Sequence, residues 1–242
     1  MKKKIAVVTG ASGQDGSYLC ELLLKKKYTV IACDRRSARD NNWRHEFLKI
    51  NTNKNLKYYS FDLQDYHSII RLFKLFKIDE FYNLAAQSFV KESFENPLIT
   101  ADITGLGVLR ILDSLKTYQP KVKFYQASTS EMFGNTNVKY QNEQTKFKPR
   151  SPYGISKLFA HELTNNYRES YGIFACSGIL FNHESPLRGR EFVTKKIVSD
   201  LVDVKFNKKK FMEIGNIYAK KRLGFCKRLC RSYMENAATK KT

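Results

Sequence analysis

The chain has 242 residues, 42% of them hydrophobic and 27% charged, enough for one sizeable α/β domain with a small appendage. No apolar run approaches the roughly 18 residues of a transmembrane helix, and Met1-Lys2-Lys3-Lys4 precedes an apolar run too short for a signal peptide, so a membrane partner is not expected. The net charge of +20 invites a nucleic-acid reading, but residues 219–242 hold eight Lys/Arg against one acid, the other lysines are dispersed, and no aromatic-interleaved groove accompanies them. Five scattered cysteines (Cys20, Cys33, Cys176, Cys226 and Cys230), without metal-ligand spacing, read as reduced thiols of a cytoplasmic protein.

Ile5 to Val8 is a continuous apolar run, as expected of a central parallel strand covered on both faces. Gly10, Gly13 and Gly16 follow, and Tyr18, Leu19, Leu22 and Leu23 then repeat with helical spacing. Strand, glycine turn and helix make a dinucleotide pocket. Gly10 allows the tight turn, Gly13 admits a pyrophosphate to the backbone, and Gly16 lets helix pack close to strand. The helix N-terminus turns its positive dipole end to the phosphates. The G-x-x-G-x-x-G spacing resembles the extended short-chain dehydrogenase/reductase family.

Tyr28 to Cys33 reads as the second strand, ending in Asp34-Arg35-Arg36-Ser37. An acid at that place suits the ribose 2′-hydroxyl of NAD, whereas arginines suit the 2′-phosphate of NADP. Two adjacent arginines favour NADP over NAD, and solvent-facing loop arginines are the bland alternative. Arg39 to Asn55, which holds the single Trp43, carries no site reading. Leu56 to Ser60 is a third strand, and Asp62-Leu63 at its end can face an adenine. A helix with Ile69, Ile70, Leu72, Phe73 and Phe76 on its buried side follows.

Phe81 to Leu84 forms a short strand leading into Ala85, Ala86, Gln87 and Ser88, whose small residues leave room for a cofactor ribose. Thr100 to Ser114 reads as a helix whose Gly105 and Gly107 imply a close neighbour. Val122 to Ala127 is the next strand, and it runs into Ser128-Thr129-Ser130-Glu131. Beyond a loop, Tyr153 and Lys157 stand four apart on a helix that Pro152 begins, so they share a face. A lysine ammonium there lowers the phenol pKa and makes Tyr153 a usable base. Another helix, Phe159 to Tyr171, and a strand, Phe174 to Leu180, lead to Phe181-Asn182-His183-Glu184-Ser185-Pro186-Leu187-Arg188.

The segments T-G-x-x-G-Q-D-G-S-Y-L, L-A-A-Q-S, Q-A-S-T-S-E, R-S-P-Y-x-x-x-K and G-I-L-F-N-H-E-S-P together resemble the GDP-mannose 4,6-dehydratase family, from Ile5 to Lys220. The resemblance implies a doubly wound parallel α/β sheet (Rossmann-like) with an incomplete C-terminal substrate domain. The expected division is 1–180 for NADP binding, 181–218 for the start of the sugar-nucleotide part, and 219–242 for an aberrant basic tail.

The reaction so implied converts GDP-mannose to its 4-keto-6-deoxy product. Tyr153 takes the 4-hydroxyl proton as hydride leaves C4 for NADP, Glu131 removes the C5 proton, water leaves C6, and the hydride returns there. Thr129 hydrogen-bonds the 4-oxygen and Lys157 holds the nicotinamide ribose. Gln14 and Asp15 join the glycines at the cofactor with Leu84, His183 and Arg188, while Ser88, Glu131 and Asn182 face the sugar nucleotide. Leu187 and Ser177 depart from the family's arginine and asparagine. Rival readings are an epimerase or dehydratase of another sugar nucleotide, and an inactive nucleotide- or nucleic-acid-binding fragment. The family further implies a homo-oligomer.

Past Lys220 the chain leaves the family pattern. One added adenine near Lys220–Lys221 accounts for this, since deleting it from a suitable back-translation restores a family-like run. The expectation is a tail that loses its amphipathic pattern and a 242-residue chain with little or no dehydratase activity.

Overall fold

The structure, a computed structural model, describes residues 3–37, 42–136, 138–214 and 223–238. Six parallel strands form its sheet: β1 (Ile5–Thr9), β2 (Thr29–Asp34), β3 (Leu56–Ser60), β4 (Glu80–Asn83), β5 (Lys123–Thr129) and β6 (Ala175–Leu180). They lie in the order β3-β2-β1-β4-β5-β6. The order of strand addition reverses between β1 and β4, and in such sheets the crevice at the strands' carboxyl ends there is where ligands bind. β7 (His183–Glu184) and β8 (Gly224–Phe225) pair separately. The helices are α1 (Gln14–Lys25), α2 (Trp43–Phe47), α3 (Tyr66–Leu75), α4 (Val90–Glu95), α5 (Pro97–Ala101), α6 (Gly107–Tyr118), α7 (Pro152–Tyr171), α8 (Val193–Lys205) and α9 (Cys226–Ala238).

Alternation along the strands divides the core into two layers. Val7, Phe81 and Phe124 point to one face, where α3 and α6 supply Ile69, Phe73 and Ile111. Ala6, Val8, Tyr82 and Tyr125 point to the other, against Leu19 and Leu23 of α1 and Tyr233 of α9. Both faces are covered, which is why the strands read as apolar runs. Each large side chain so buried contributes about 1.5–3 kcal/mol.

The two unusual glycines mark a π-helical segment, Asp102–Leu106, between α5 and α6. A Cβ on Gly105 would stand 3.1 Å from the Phe159 ring and one on Gly107 2.8 Å from Leu63. These are the close neighbours that the sequence required. β5 runs two residues beyond its expected end, so Ser128 and Thr129 belong to the strand and Glu131 to the 3-10 turn after it, Ser130–Met132.

The basic tail differs from expectation. Cys226, Cys230, Tyr233 and Ala237 form a buried stripe along α9, packed on α1, β5 and β6, with the Tyr233 ring stacked 5.1 Å from that of Tyr125. The amphipathic pattern is therefore present in the chain as written; apolar residues spaced three and four apart are separated by solvent-facing Lys and Arg. The proposed slip near Lys220–Lys221 lies outside the described residues.

Candidate active site

The glycine turn is built by contacts that tolerate no side chain. Gly10 adopts φ +65° and donates its N–H to Cys33 O at 2.9 Å. A Cβ on Gly16 would fall 2.2 Å from Gly10 O, so helix and turn touch backbone to backbone. The α1 N-terminus consequently opens into a cleft of ≈ 420 Å³.

That cleft gathers residues from four strand ends. Gly10, Gly13, Gln14, Asp15 and Gly16 line one wall, Leu84, Ala86 and Ser88 the next, and Thr129, Glu131, Tyr153 and Lys157 the far side. Asn182, His183 and Arg188 close it from the segment after β6. A second groove of ≈ 350 Å³ shares Gly10 and Ala86 and continues past Arg35, Asp62, Leu63, Ala85 and Gln87. The sequence-predicted set thus falls into one trough, with one exception. Arg36 is exposed and lines neither part, because its neighbour Arg35 takes the groove-facing position at the end of β2.

Ser151 caps α7 by accepting from Gly154 N–H at 3.0 Å, and Pro152 takes its first position. Tyr153 and Lys157 are then buried one turn apart. The Lys157 ammonium has its close hydrogen-bond partner outside the pair. Its Nζ donates to Ala127 O at 2.7 Å and stands 5.9 Å from the Tyr153 ring centroid. Burial raises Tyr153 to about 12 and lowers Lys157 to about 8, because the same dry site penalises the charged form of each. The Thr129 hydroxyl and Arg188 pull the phenol back down, while Glu131 and Asp15 push it up.

Asp15 is the centre of a network that sequence reasoning assigned to the cofactor. Desolvation resists its charge, yet bonds from His183, Cys226 and Gln14 hold its carboxyl down at about 2. His183 Nε2 lies 2.7 Å away and Tyr233 Oη 3.0 Å. His183 is raised in return: burial opposes its charge, and the Asp15 bond and field overcome that. Arg188 Nε stands 3.3 Å from Glu184 Oε1, an ion pair without hydrogen-bond geometry, and its guanidinium lies over the Phe192 ring at 3.4 Å. At β2, the Asp34 carboxyl accepts from Ser12 N–H at 2.9 Å, and burial lifts it to about 6.

Sequence reasoning missed α2 entirely. Arg44 donates to Ser12 O (2.9 Å) and Leu187 O (2.8 Å), and the fully buried His45 meets Ala11 O at 2.9 Å and Tyr58 Oη at 3.0 Å. Both brace the glycine turn from outside. Nothing in their polar surroundings signals this, because three of the four partners are backbone carbonyls. Of the two departures, Leu187 is wholly buried in the core, and Ser177 Oγ is buried without a hydrogen-bond partner.

A 3-2-1-4-5-6 parallel sheet, a glycine turn after β1 and a buried Tyr-x-x-x-Lys pair facing that turn define an extended short-chain dehydrogenase/reductase. Solved structures share the fold. A UDP-N-acetylglucosamine 4-epimerase from Methanobrevibacter ruminantium matches with TM-score 0.85 at 22% identity, over 100% of this chain and 75% of that one. A dTDP-glucose 4,6-dehydratase from Streptomyces venezuelae matches with TM-score 0.83 at 21% identity, over 94% and 70%.

The model of the GDP-mannose 4,6 dehydratase family matches residues 7–242, and the chain belongs to that family. It is 49% identical over 231 residues to GDP-mannose 4,6 dehydratase 2 of Arabidopsis thaliana, covering 92% of this chain and 62% of the relative. The Vibrio cholerae enzyme is 45% identical over 232 residues (94% and 62%), and the human one 45% over 231 (93% and 62%). The chain spans about three fifths of the length of these relatives.

Proposed function

We propose that the cleft is the redox and elimination centre of a GDP-mannose 4,6-dehydratase that uses NADP. The observation that carries this reading is the presence of Thr129, Glu131, Tyr153 and Lys157 in one cleft with the glycine turn. The trough fits a dinucleotide. Its Gly10–Gly16 backbone approach leaves the α1 N-terminus bare for a pyrophosphate, and the second groove extends it past Arg35 and Asp62. The glycine turn would hold the phosphates, Asp62 the adenine end and Lys157 the nicotinamide ribose, with Arg35 toward a 2′-phosphate. NADP when bound supplies a nicotinamide that takes up a hydride and gives it back.

The chain's own groups do the proton work. Tyr153 accepts the proton of the sugar 4-hydroxyl, and Thr129, whose hydroxyl bonds that phenol, also holds the 4-oxygen. Glu131 sits two residues beyond Thr129, its N–H on Thr129 Oγ1 at 3.2 Å, and takes the C5 proton that a 4-ketone acidifies. Water is then lost across C5 and C6. A 4-epimerase would need Tyr153 but no such base, and Glu131 is therefore the residue that makes the assignment. The same cleft, with Ser88 and Asn182 on its walls, would take the sugar.

Two measurements test the reading. NADP should bind the purified 242-residue chain, and GDP-mannose turnover should be followed by product analysis in that chain and in an active relative-length version. In the active version Glu131→Gln should allow cofactor reduction and block elimination. Dehydration at full rate in Glu131→Gln would overturn the assignment.

A further inference from the structure

Behind the glycine turn, three elements distant in sequence bring a carboxylate, an imidazole and a thiol to one point. Asp15 comes from the first turn of α1, His183 from β7, and Cys226 from the start of α9. Cys226 Sγ lies 3.1 Å from Asp15 Oδ1, and His183 Nε2 lies 2.7 Å from Asp15 Oδ2. The donor atoms all lie within 4.8 Å of one another, the one such group of three among the described residues. Cys230, one turn along α9 and also buried, directs its thiol to Asp15 O at 3.5 Å and stays outside the group.

We propose that Asp15, His183 and Cys226 form a three-ligand binding site for a zinc-class divalent cation, its fourth position left to solvent. The histidine supplies the strongest argument. Its Nδ1 lies 2.7 Å from Phe181 O, a carbonyl that can only accept, so Nδ1 carries the proton. Nε2 then faces a carboxylate at 2.7 Å and has to present something positive there, either a second proton or a metal. An imidazole tied to a carbonyl through Nδ1, with Nε2 turned to a second candidate ligand, has the support usual for a metal-bound histidine. Tyr233 donates to Asp15 Oδ2 at 3.0 Å and would orient the carboxylate in the same way.

The spacing suits the ion. Tetrahedral zinc with bonds of about 2.0–2.1 Å to nitrogen and 2.3 Å to sulfur sets neighbouring donors about 3.3–3.8 Å apart. The separations of 2.7 and 3.1 Å open, and the widest closes, by about 1 Å or less, within reach of side-chain rotation. Thiolate and imidazole donors select zinc over magnesium or calcium. On binding, the Sγ–H bond of Cys226 breaks and its proton passes to solvent, together with any proton on His183 Nε2. One thiolate and one carboxylate then face the dication, and their charges balance it. The ion would pin α9 and β7 to α1 beneath the cofactor turn, whatever sugar nucleotide the cleft takes.

The test begins with the 242-residue protein freed of metal by a chelator and titrated with Co(II). One equivalent should produce the near-ultraviolet thiolate-to-cobalt band and the strong visible absorption of a tetrahedral site, and one equivalent of Zn(II) should abolish both. Cys176→Ala should keep them, since Cys176 lies apart on β6. Cys226→Ala should weaken Zn(II) binding by more than the roughly 10–100-fold that loss of a supporting hydrogen bond causes. Zn(II) added to the wild-type protein in weak buffer should release at least one proton per ion, a readout that needs no variant. Absence of the thiolate band, an undiminished affinity in folded Cys226→Ala, or Zn(II) binding without proton release overturns the proposal.

Discussion

Replacing Asp15 by Asn should cost the metal-free protein about 2–3 kcal/mol of stability at neutral pH. The surroundings lower the Asp15 carboxyl from 3.8 to about 2, despite burial that opposes its charge. At about 1.4 kcal/mol per pH unit, that preference for the ionised form gives the figure, and Asn resembles the protonated acid that the site disfavours. A single domain of this size loses about 2–4 °C of Tm per kcal/mol, so the variant should melt about 5–10 °C below the wild type. The sign with pH follows from linkage. A carboxyl whose pKa falls on folding stabilises above its unfolded pKa, and that stability disappears as pH drops through the folded one. The gap in Tm should therefore be full above pH 4 and shrink toward pH 2. Thermal melts of wild type and Asp15→Asn, followed by circular dichroism across that range, measure it. Equal melting temperatures at neutral pH would refute the view that Asp15 is a charged hub joining α1, β7 and α9.

Other outcomes follow from the same structure. Tyr233→Ala removes a fully buried ring stacked on Tyr125, and at about 3–5 kcal/mol it should lower Tm by ~6–20 °C in a thermal melt. An unchanged melt would mean that α9 does not pack as described. Arg35→Ala should weaken NADP about fivefold and leave NAD nearly unaffected by calorimetry, since an exposed charge–phosphate bond is worth about 1 kcal/mol; Arg36→Ala, outside the groove, should change neither. Tyr153→Phe in an active version should abolish turnover while NADP affinity stays within about threefold, because the ring remains and only one hydroxyl contact is lost. Gly16→Ala should yield little folded protein in solubility assays, as its Cβ would lie 2.2 Å from a carbonyl oxygen that the turn cannot move.

Much of this molecule was legible in the sequence because the relevant signals are local. Ile5–Val8 announced a strand covered on both faces, the glycines announced a turn with no room for Cβ atoms, and Tyr153 and Lys157 announced a shared helix face. Backbone sterics and side-chain period fix such features within a few residues. What the sequence could not determine depends on groups that meet only after folding. Arg44 and His45 brace the glycine turn through carbonyls, which carry no side-chain signature. Lys157 turned from Tyr153 to Ala127 O because in a buried site a carbonyl one strand away satisfies an ammonium. The thiols of α9 reached Asp15, some 211 residues earlier in the chain, only because Tyr233 and Ala237 carry the helix onto α1 and β5. Burial, which decides whether a charge is penalised or paired, is a property of the assembled layers rather than of any segment.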